Sequence, residues 1–143
     1  RFAVSILAFG SRVYPCMAVA EQLAEQLNIA VRVVNMRYVK PIDHRMVQQC
    51  ALDSNLLVTV EEHAVMAGAG SAVNESLIAQ AMSVPCLNIG LPDQFLAQAT
   101  PAQMLTSAGL DEVGIFHQIK QRYQSLTEQA EHDKISAKVF ASQ

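Results

Sequence analysis

The stretch "FAVSILAF", residues 2–9, is a compact apolar run that ends at Gly10 and Ser11. A short continuous apolar run bounded by turn residues predicts a β-strand that is buried on both faces. Strands of this kind belong to parallel or mixed sheets that helices cover on both sides. Residues 2–9 therefore favour an α/β domain.

Helical and extended patterns alternate along the rest of the chain, with short connections between them. Asp43, Thr100 and Asp111 have the residue types of helix N-caps, and Gly109 has that of a helix end. Strands are predicted at residues 30–36, 56–60 and 85–90, and helices at 15–27, after Asp43, at 71–82, at 101–108 and after Asp111. This order predicts an open, three-layer αβα domain with a mostly parallel sheet and right-handed crossovers.

The length of 143 residues suits one domain, which we expect to occupy residues 1–126, with a polar C-terminal tail at 127–143. The chain starts at Arg1, without a methionine, and enters a strand pattern at once. We therefore expect it to be a domain of a longer protein.

The composition argues against a disordered protein, a nucleic-acid-binding protein and a membrane-spanning protein. The chain is 51% hydrophobic and 16% charged, with a net charge of −3, which predicts a well-packed core rather than disorder. Basic residues form no cluster, so no nucleic-acid partner is expected, and no apolar run approaches the ~20 residues of a membrane span. We expect a cytoplasmic protein.

The three cysteines, Cys16, Cys50 and Cys86, are far apart in the sequence and have apolar neighbours. Zinc sites need clustered ligands. The spacing therefore predicts buried, reduced thiols and no metal or disulfide role.

The segment "TVEEHAVMAGAGSAVNES", residues 59–76, has the best position for a functional site. Glu61, Glu62 and His63 directly follow the strand predicted at 56–60, and a glycine turn then leads to a helix at Ser71. Open α/β sheets bind ligands beyond the carboxyl ends of their strands. A metal, a nucleotide and acid–base chemistry are the three candidates for this position.

Each candidate has a weakness. Glu61 and His63 share one side of an extended chain while Glu62 takes the other, which leaves an incomplete metal shell. Val73 occupies the position of the third glycine in G-x-G-x-x-G, which counts against dinucleotide binding. The glycines then serve a positive φ or a close backbone approach. Neighbouring acids and a histidine can shift a pKa, but a solvent-facing strand end leaves such groups ordinary.

Three sequence blocks resemble one family in the same order. They are "VNMRYVKPID" (34–43), "LLVTVEEHAVMAGAGSAVNE" (56–75) and "PCLNIGLPDQFLAQATPAQMLTSAGLD" (85–111). Together they resemble the C-terminal domain of the 1-deoxy-D-xylulose-5-phosphate synthases, a transketolase-like, thiamine-diphosphate-dependent family. The resemblance covers about Phe2 to Leu126, and it departs from the family where Ala67 and Ala99 replace glycines.

The resemblance implies a division of labour. In this family the first two domains bind thiamine diphosphate and magnesium, and the third packs on them and contributes to the homodimer. The whole enzyme joins pyruvate to glyceraldehyde 3-phosphate with loss of CO2, for isoprenoid, thiamine and pyridoxal synthesis. No catalytic, cofactor or metal residue then falls on this chain, which we expect to be inactive alone.

The glycine-turn segment would then be a contact surface toward the upstream domains or the partner subunit. The expected contact residues are Glu61, Glu62, His63, Gly68, Gly70 and Ser71. Two alternatives stay open. One is the C-terminal domain of another transketolase-type or 2-oxo acid dehydrogenase β subunit, and the other is a free-standing nucleotide-binding α/β module.

Overall fold

A computed structural model describes residues 1–64, 68–91 and 100–141 of the chain. Ala67, Ala99 and the side chain of His63 lie outside the described part. Within that part, no helix is both long enough and apolar enough to cross a membrane.

The described strands form one parallel sheet in the order β2-β1-β3-β4. The strands are β1 (Phe2–Phe9), β2 (Val31–Met36), β3 (Ser54–Ala64) and β4 (Cys86–Leu91). The helices are α1 (Val13–Leu27), α2 (His44–Leu52), α3 (Ala69–Ala79), α4 (Pro101–Ser107) and α5 (Glu112–Ala141), and a 3-10 turn at Gly10–Arg12 precedes α1. The predicted α/β class is confirmed.

Two cores, one on each face of the sheet, explain why β1 has no polar alternation. Val4, Ile6 and Ala8 pack toward α1 and α5. Leu7 and Phe9 pack toward α2 and α3 on the other face. The sheet is therefore the middle of three layers, as a run that is apolar at both odd and even positions requires.

The predicted N-caps are confirmed at the starts of three helices. The Asp43 carboxylate accepts a hydrogen bond from the Met46 backbone N–H (3.0 Å), and Thr100 forms a capping box with Gln103. Asp111 accepts from the Gly114 backbone N–H (2.9 Å). These caps use only local chemistry.

Several boundaries differ from the prediction by a few residues, and two of them matter for the site. α3 starts at Ala69 rather than Ser71, because Gly70 is helical, and β3 continues past Val60 to Ala64. The extension of β3 places Glu61 and Glu62 inside a strand rather than after one.

The predicted tail is part of α5, which runs without interruption through Leu126 to Ala141. Leu126 still packs against the core, whereas residues 127–141 are all exposed. The expected boundary after residue 126 therefore coincides with the end of burial and lies within a helix.

Candidate functional site at the carboxyl edge of the sheet

The carboxyl ends of β1, β2 and β3 meet at one edge of the sheet because the strands are parallel. Ala8 of β1 is in register with Val60 of β3, so the turn at Gly10–Arg12 lies beside Glu61 and Glu62. The same edge receives the N-termini of α1 and α3. This is the expected position for a functional site in an open α/β fold.

Glu61 is buried, with 1% of its surface exposed. One carboxylate oxygen accepts from the Ala69 backbone N–H (2.8 Å), and the other accepts from the Gly70 backbone N–H. These N–H groups belong to the first turn of α3, where no carbonyl of the helix itself can bind them. The carboxylate also lies at the positive end of the helix dipole. Glu61 is therefore an internal cap of α3.

The expected contact role of Glu61 toward other domains stays a prediction. Both hydrogen bonds of its carboxylate are made within the domain, to residues outside β3. The strand does not end at Val60, so the side chain at position 61 still points into the layer between sheet and helix.

Gly70 is needed for a close approach rather than for an unusual backbone angle. A Cβ at this position would lie 2.9 Å from Thr59 Oγ1 and 3.2 Å from the Cβ of Asn88. Thr59 Oγ1 also donates to Asn88 Oδ1 (2.8 Å), which holds both side chains in place. The helix N-terminus can therefore contact the sheet only through a glycine.

The part of the glycine turn that the structure describes, from Gly68 onward, does not have the features of a dinucleotide site. The Ala69 and Gly70 N–H groups, which a phosphate would need, are occupied by the Glu61 carboxylate. Val73, at the position of the third motif glycine, is a fully buried core residue. Both observations count against the nucleotide-binding alternative.

Glu62 faces the opposite way from Glu61 and belongs to a second network. Its Oε1 pairs with Arg12 Nη2 (3.2 Å) and accepts from the Ser11 hydroxyl. The mostly buried Arg12 also donates from Nη1 to the Leu110 carbonyl oxygen (2.7 Å). Arg12 therefore joins the turn after β1, the end of β3 and the segment before α5. Sequence reasoning missed Arg12.

A cavity and a groove lie beside the hydrogen-bond networks of Glu61 and Glu62. A small cavity of about 120 Å³ is lined in part by Gly10, Arg37 and Glu62. A larger groove of about 460 Å³ is formed by residues between Val34 and Met46, and includes Arg37 and Tyr38. Arg37 therefore lies between the acidic network and the groove.

The described residues contain no cluster of three or more His, Cys, Asp or Glu side chains that could hold a metal ion. The cysteines are free thiols, with Cys16 and Cys50 buried and Cys86 half-buried. Burial raises the pKa of Cys16 to about 12 and also raises the pKa values of Cys50 and Cys86. Thiols held neutral in this way are poor nucleophiles and poor metal ligands.

Comparisons with a family model and with known sequences both match transketolase-like proteins. The family model described as "Transketolase, C-terminal domain" matches residues 2–115. The 1-deoxy-D-xylulose-5-phosphate synthase of Acinetobacter baumannii (strain AYE) is 49% identical over 120 residues, which are 84% of this chain and 19% of that protein. The synthase of Nitrosospira multiformis is 52% identical over 120 residues, with the same coverage of 84% and 19%.

A solved structure, "Split gene transketolase, inactive beta4 tetramer", has a TM-score of 0.77 and 32% identity, and covers 87% of this chain and 40% of that chain. The chain spans about a fifth of the length of the curated relatives it matches.

Proposed function

The chain belongs to the transketolase C-terminal domain family, and from this membership we propose that it is the C-terminal domain of a 1-deoxy-D-xylulose-5-phosphate synthase. The observation that carries the proposal is the identity of 49–52% with such synthases over 120 residues. The split-gene transketolase is less similar, at 32%. That difference favours a synthase over a transketolase-type subunit.

The whole enzyme would join pyruvate to glyceraldehyde 3-phosphate with loss of CO2, using thiamine diphosphate and Mg²⁺, in the cytoplasm. The described residues of this chain do not fit the cofactor. The helix N-terminus that could receive a pyrophosphate is capped by Glu61, and Glu62 is engaged by Arg12. We therefore assign cofactor binding and catalysis to the upstream domains, and to this domain a role in contacts.

Within the contact segment at residues 61–71, some residues face a partner and others hold the domain's own elements in place. Glu62, with 40% of its side chain exposed, is available to a partner from its outer side. Glu61 and Gly70 act from inside, because they fix the start of α3 against the sheet. His63, Gly68 and Ser71 complete the proposed contact toward the upstream domains or the second subunit of a homodimer.

The activity test uses the full-length enzyme that carries this domain, with thiamine diphosphate and Mg²⁺. We expect CO2 release from pyruvate that depends on glyceraldehyde 3-phosphate. Two-carbon transfer from a ketose phosphate to an aldose phosphate, without any reaction of pyruvate, would instead support the transketolase-type alternative.

The contact test compares two glutamate variants of the same full-length enzyme. Glu62→Ala should lower activity or raise the dimer dissociation constant severalfold. Glu75→Ala removes an exposed carboxylate from α3, away from the Arg12 network, and should change neither quantity. Wild-type activity and an unchanged dimer constant for Glu62→Ala would contradict a contact role.

A further inference from the structure

Exposed large apolar side chains are unevenly distributed over the described part of the compact domain. Up to residue 126 there are six, each more than half exposed: Tyr14, Met17, Tyr38, Leu52, Ile78 and Val113. Four of these six lie near the carboxyl edge of the sheet: Tyr14, Met17, Tyr38 and Val113. Single exposed apolar residues are ordinary, but a local concentration of them marks an interaction site.

The Arg12 network explains why two elements bring apolar side chains to this edge. Tyr14 follows Arg12 by two residues in the first turn of α1, and Met17 follows on the same face of that helix. Val113 comes three residues after Leu110, whose carbonyl oxygen accepts from Arg12. One buried arginine therefore holds the starts of α1 and α5 at the end of β3.

The end of β2 is a third element that brings exposed side chains to the carboxyl edge. Arg37 and Tyr38 directly follow this strand, and Arg37 lines the same small cavity as Gly10 and Glu62. Tyr38 is 71% exposed and Tyr14 is 82% exposed. We define the carboxyl-edge surface as Tyr14, Met17, Arg37, Tyr38 and Val113.

We propose that the carboxyl-edge surface is the docking surface for the preceding domains of the same polypeptide. This rests on the proposed function, in which the chain is the C-terminal part of a longer enzyme. In the curated relatives the matched region is 19% of the protein, so about four-fifths of each chain lies outside this domain and is a source of partner surface within the same polypeptide.

The residue types and their exposure fit a protein partner. Tyrosine, methionine and arginine are enriched at the centres of protein interfaces, where lysine and glutamate are depleted. Side chains as exposed as Tyr14 and Tyr38 do not enclose a small ligand, but they can enter pockets on an opposing surface. Arg37 is exposed and has no ion pair among the described residues, which suits a carboxylate or carbonyl acceptor on the partner.

The opposite edge of the sheet has a different character. There Arg32 pairs with Asp53, and Arg1 donates to Asn55 Oδ1 (2.8 Å). These polar groups satisfy one another within the domain. Among the described residues, Leu52 and Ile78, at the ends of α2 and α3, are the large apolar side chains exposed toward this edge. The amino edge therefore has fewer exposed apolar side chains than the carboxyl edge and no exposed tyrosine among them.

Site-specific thiol labelling in the full-length enzyme tests the proposal. Tyr14→Cys and Tyr38→Cys report on the surface, and Ile78→Cys on α3 is the matched control because Ile78 is 78% exposed. These substitutions remove no buried side chain, so the fold should be retained. Maleimide labelling of each peptide is followed by mass spectrometry in native enzyme and in urea.

We expect labelling of Tyr14→Cys and Tyr38→Cys to be at least about tenfold slower in the native enzyme than in urea, and that of Ile78→Cys to change less than about threefold. Similar rates in both states at 14 and 38, or equal protection at all three positions, would overturn the proposal. Protection that grows with protein concentration would assign the surface to a second copy and would also overturn it. Labelling does not depend on catalysis, so an enzyme with a different activity would disprove the proposed function without affecting this result.

Discussion

Replacing Glu61 by alanine should destabilise the domain far more than the loss of an ordinary surface glutamate. The substitution removes both acceptors of the Ala69 and Gly70 N–H groups, in a place where Glu61 is only 1% exposed. It also removes the negative charge from the N-terminus of α3.

The size of the effect follows from the contacts that the substitution removes. A buried donor left without a partner costs about 1–3 kcal/mol, and two donors lose their acceptor. An anion in a partly buried site at a helix N-terminus contributes up to roughly 2 kcal/mol more. Water that enters the vacated space recovers part of this, and the carboxylate no longer has to be desolvated. We therefore expect the free energy of unfolding to fall by about 3 kcal/mol.

Urea unfolding followed by circular dichroism measures this change, with linear extrapolation to water. Glu75→Ala is the matched control, because Glu75 is an exposed carboxylate on the same helix, and it should change stability by less than about 0.5 kcal/mol. Glu61→Gln keeps the shape but turns an N–H₂ group toward one of the backbone donors, so it should cost about 2 kcal/mol.

A Glu61→Ala variant that loses less than about 1 kcal/mol, or no more than Glu75→Ala does, would contradict the role of Glu61 as the cap of α3. Such a result would mean that water caps α3 as well as the carboxylate does. It would also mean that the Ala69 and Gly70 N–H groups are able to bind an external anion in place of the Glu61 carboxylate.

Four further predictions concern the same domain. Gly70→Ala should lower stability by about 1–3 kcal/mol in urea unfolding, since its Cβ would lie 2.9 Å from Thr59 Oγ1, and a Thr59→Ala background should reduce that loss. Cys16 and Cys50 should react with a thiol reagent at pH 7 far more slowly in the folded chain than in urea, and Cys86 should be the fastest of the three because it is half-buried. The folded-state pKa of Cys16 is raised from 9.0 to about 12, so its contribution to stability is complete below pH 9 and is lost as pH rises toward 12; Cys16→Ala should flatten that part of the stability profile. Calorimetry of the chain with millimolar thiamine diphosphate or NAD should show no saturable heat, and clear binding of either would contradict the division of labour proposed above.

Local chemistry made much of the fold predictable. The caps at Asp43, Thr100 and Asp111 and the apolar run of β1 each depend on residues within one or two turns of the chain. A helix start or a doubly buried strand can be recognised from such neighbours alone.

The role of Glu61 depended on one boundary that the sequence left ambiguous. If β3 ends at Val60, position 61 faces solvent, and if it continues, the same side chain points under α3. The available signal was a carboxylate eight residues before a glycine-containing helix start, a spacing that lets the chain turn back and cap itself. The role of Arg12 had no such signal, because Glu62 and Leu110 are 50 and 98 residues away, and only the strand order brings them together.

The carboxyl edge therefore has the position of an active site, but its polar groups are used inside the domain. Glu61 is bound to α3 and Glu62 to Arg12, and both acids contribute to the arrangement of the elements around them. Among the described residues, this arrangement leaves exposed Tyr14, Tyr38 and Arg37, which has no ion pair with any of them. An edge whose acids are satisfied internally and whose aromatic residues are exposed is suited to binding another protein surface. We therefore propose a contact function for the glycine-turn segment, in which its charges hold the helices in place and its neighbours supply the side chains for docking.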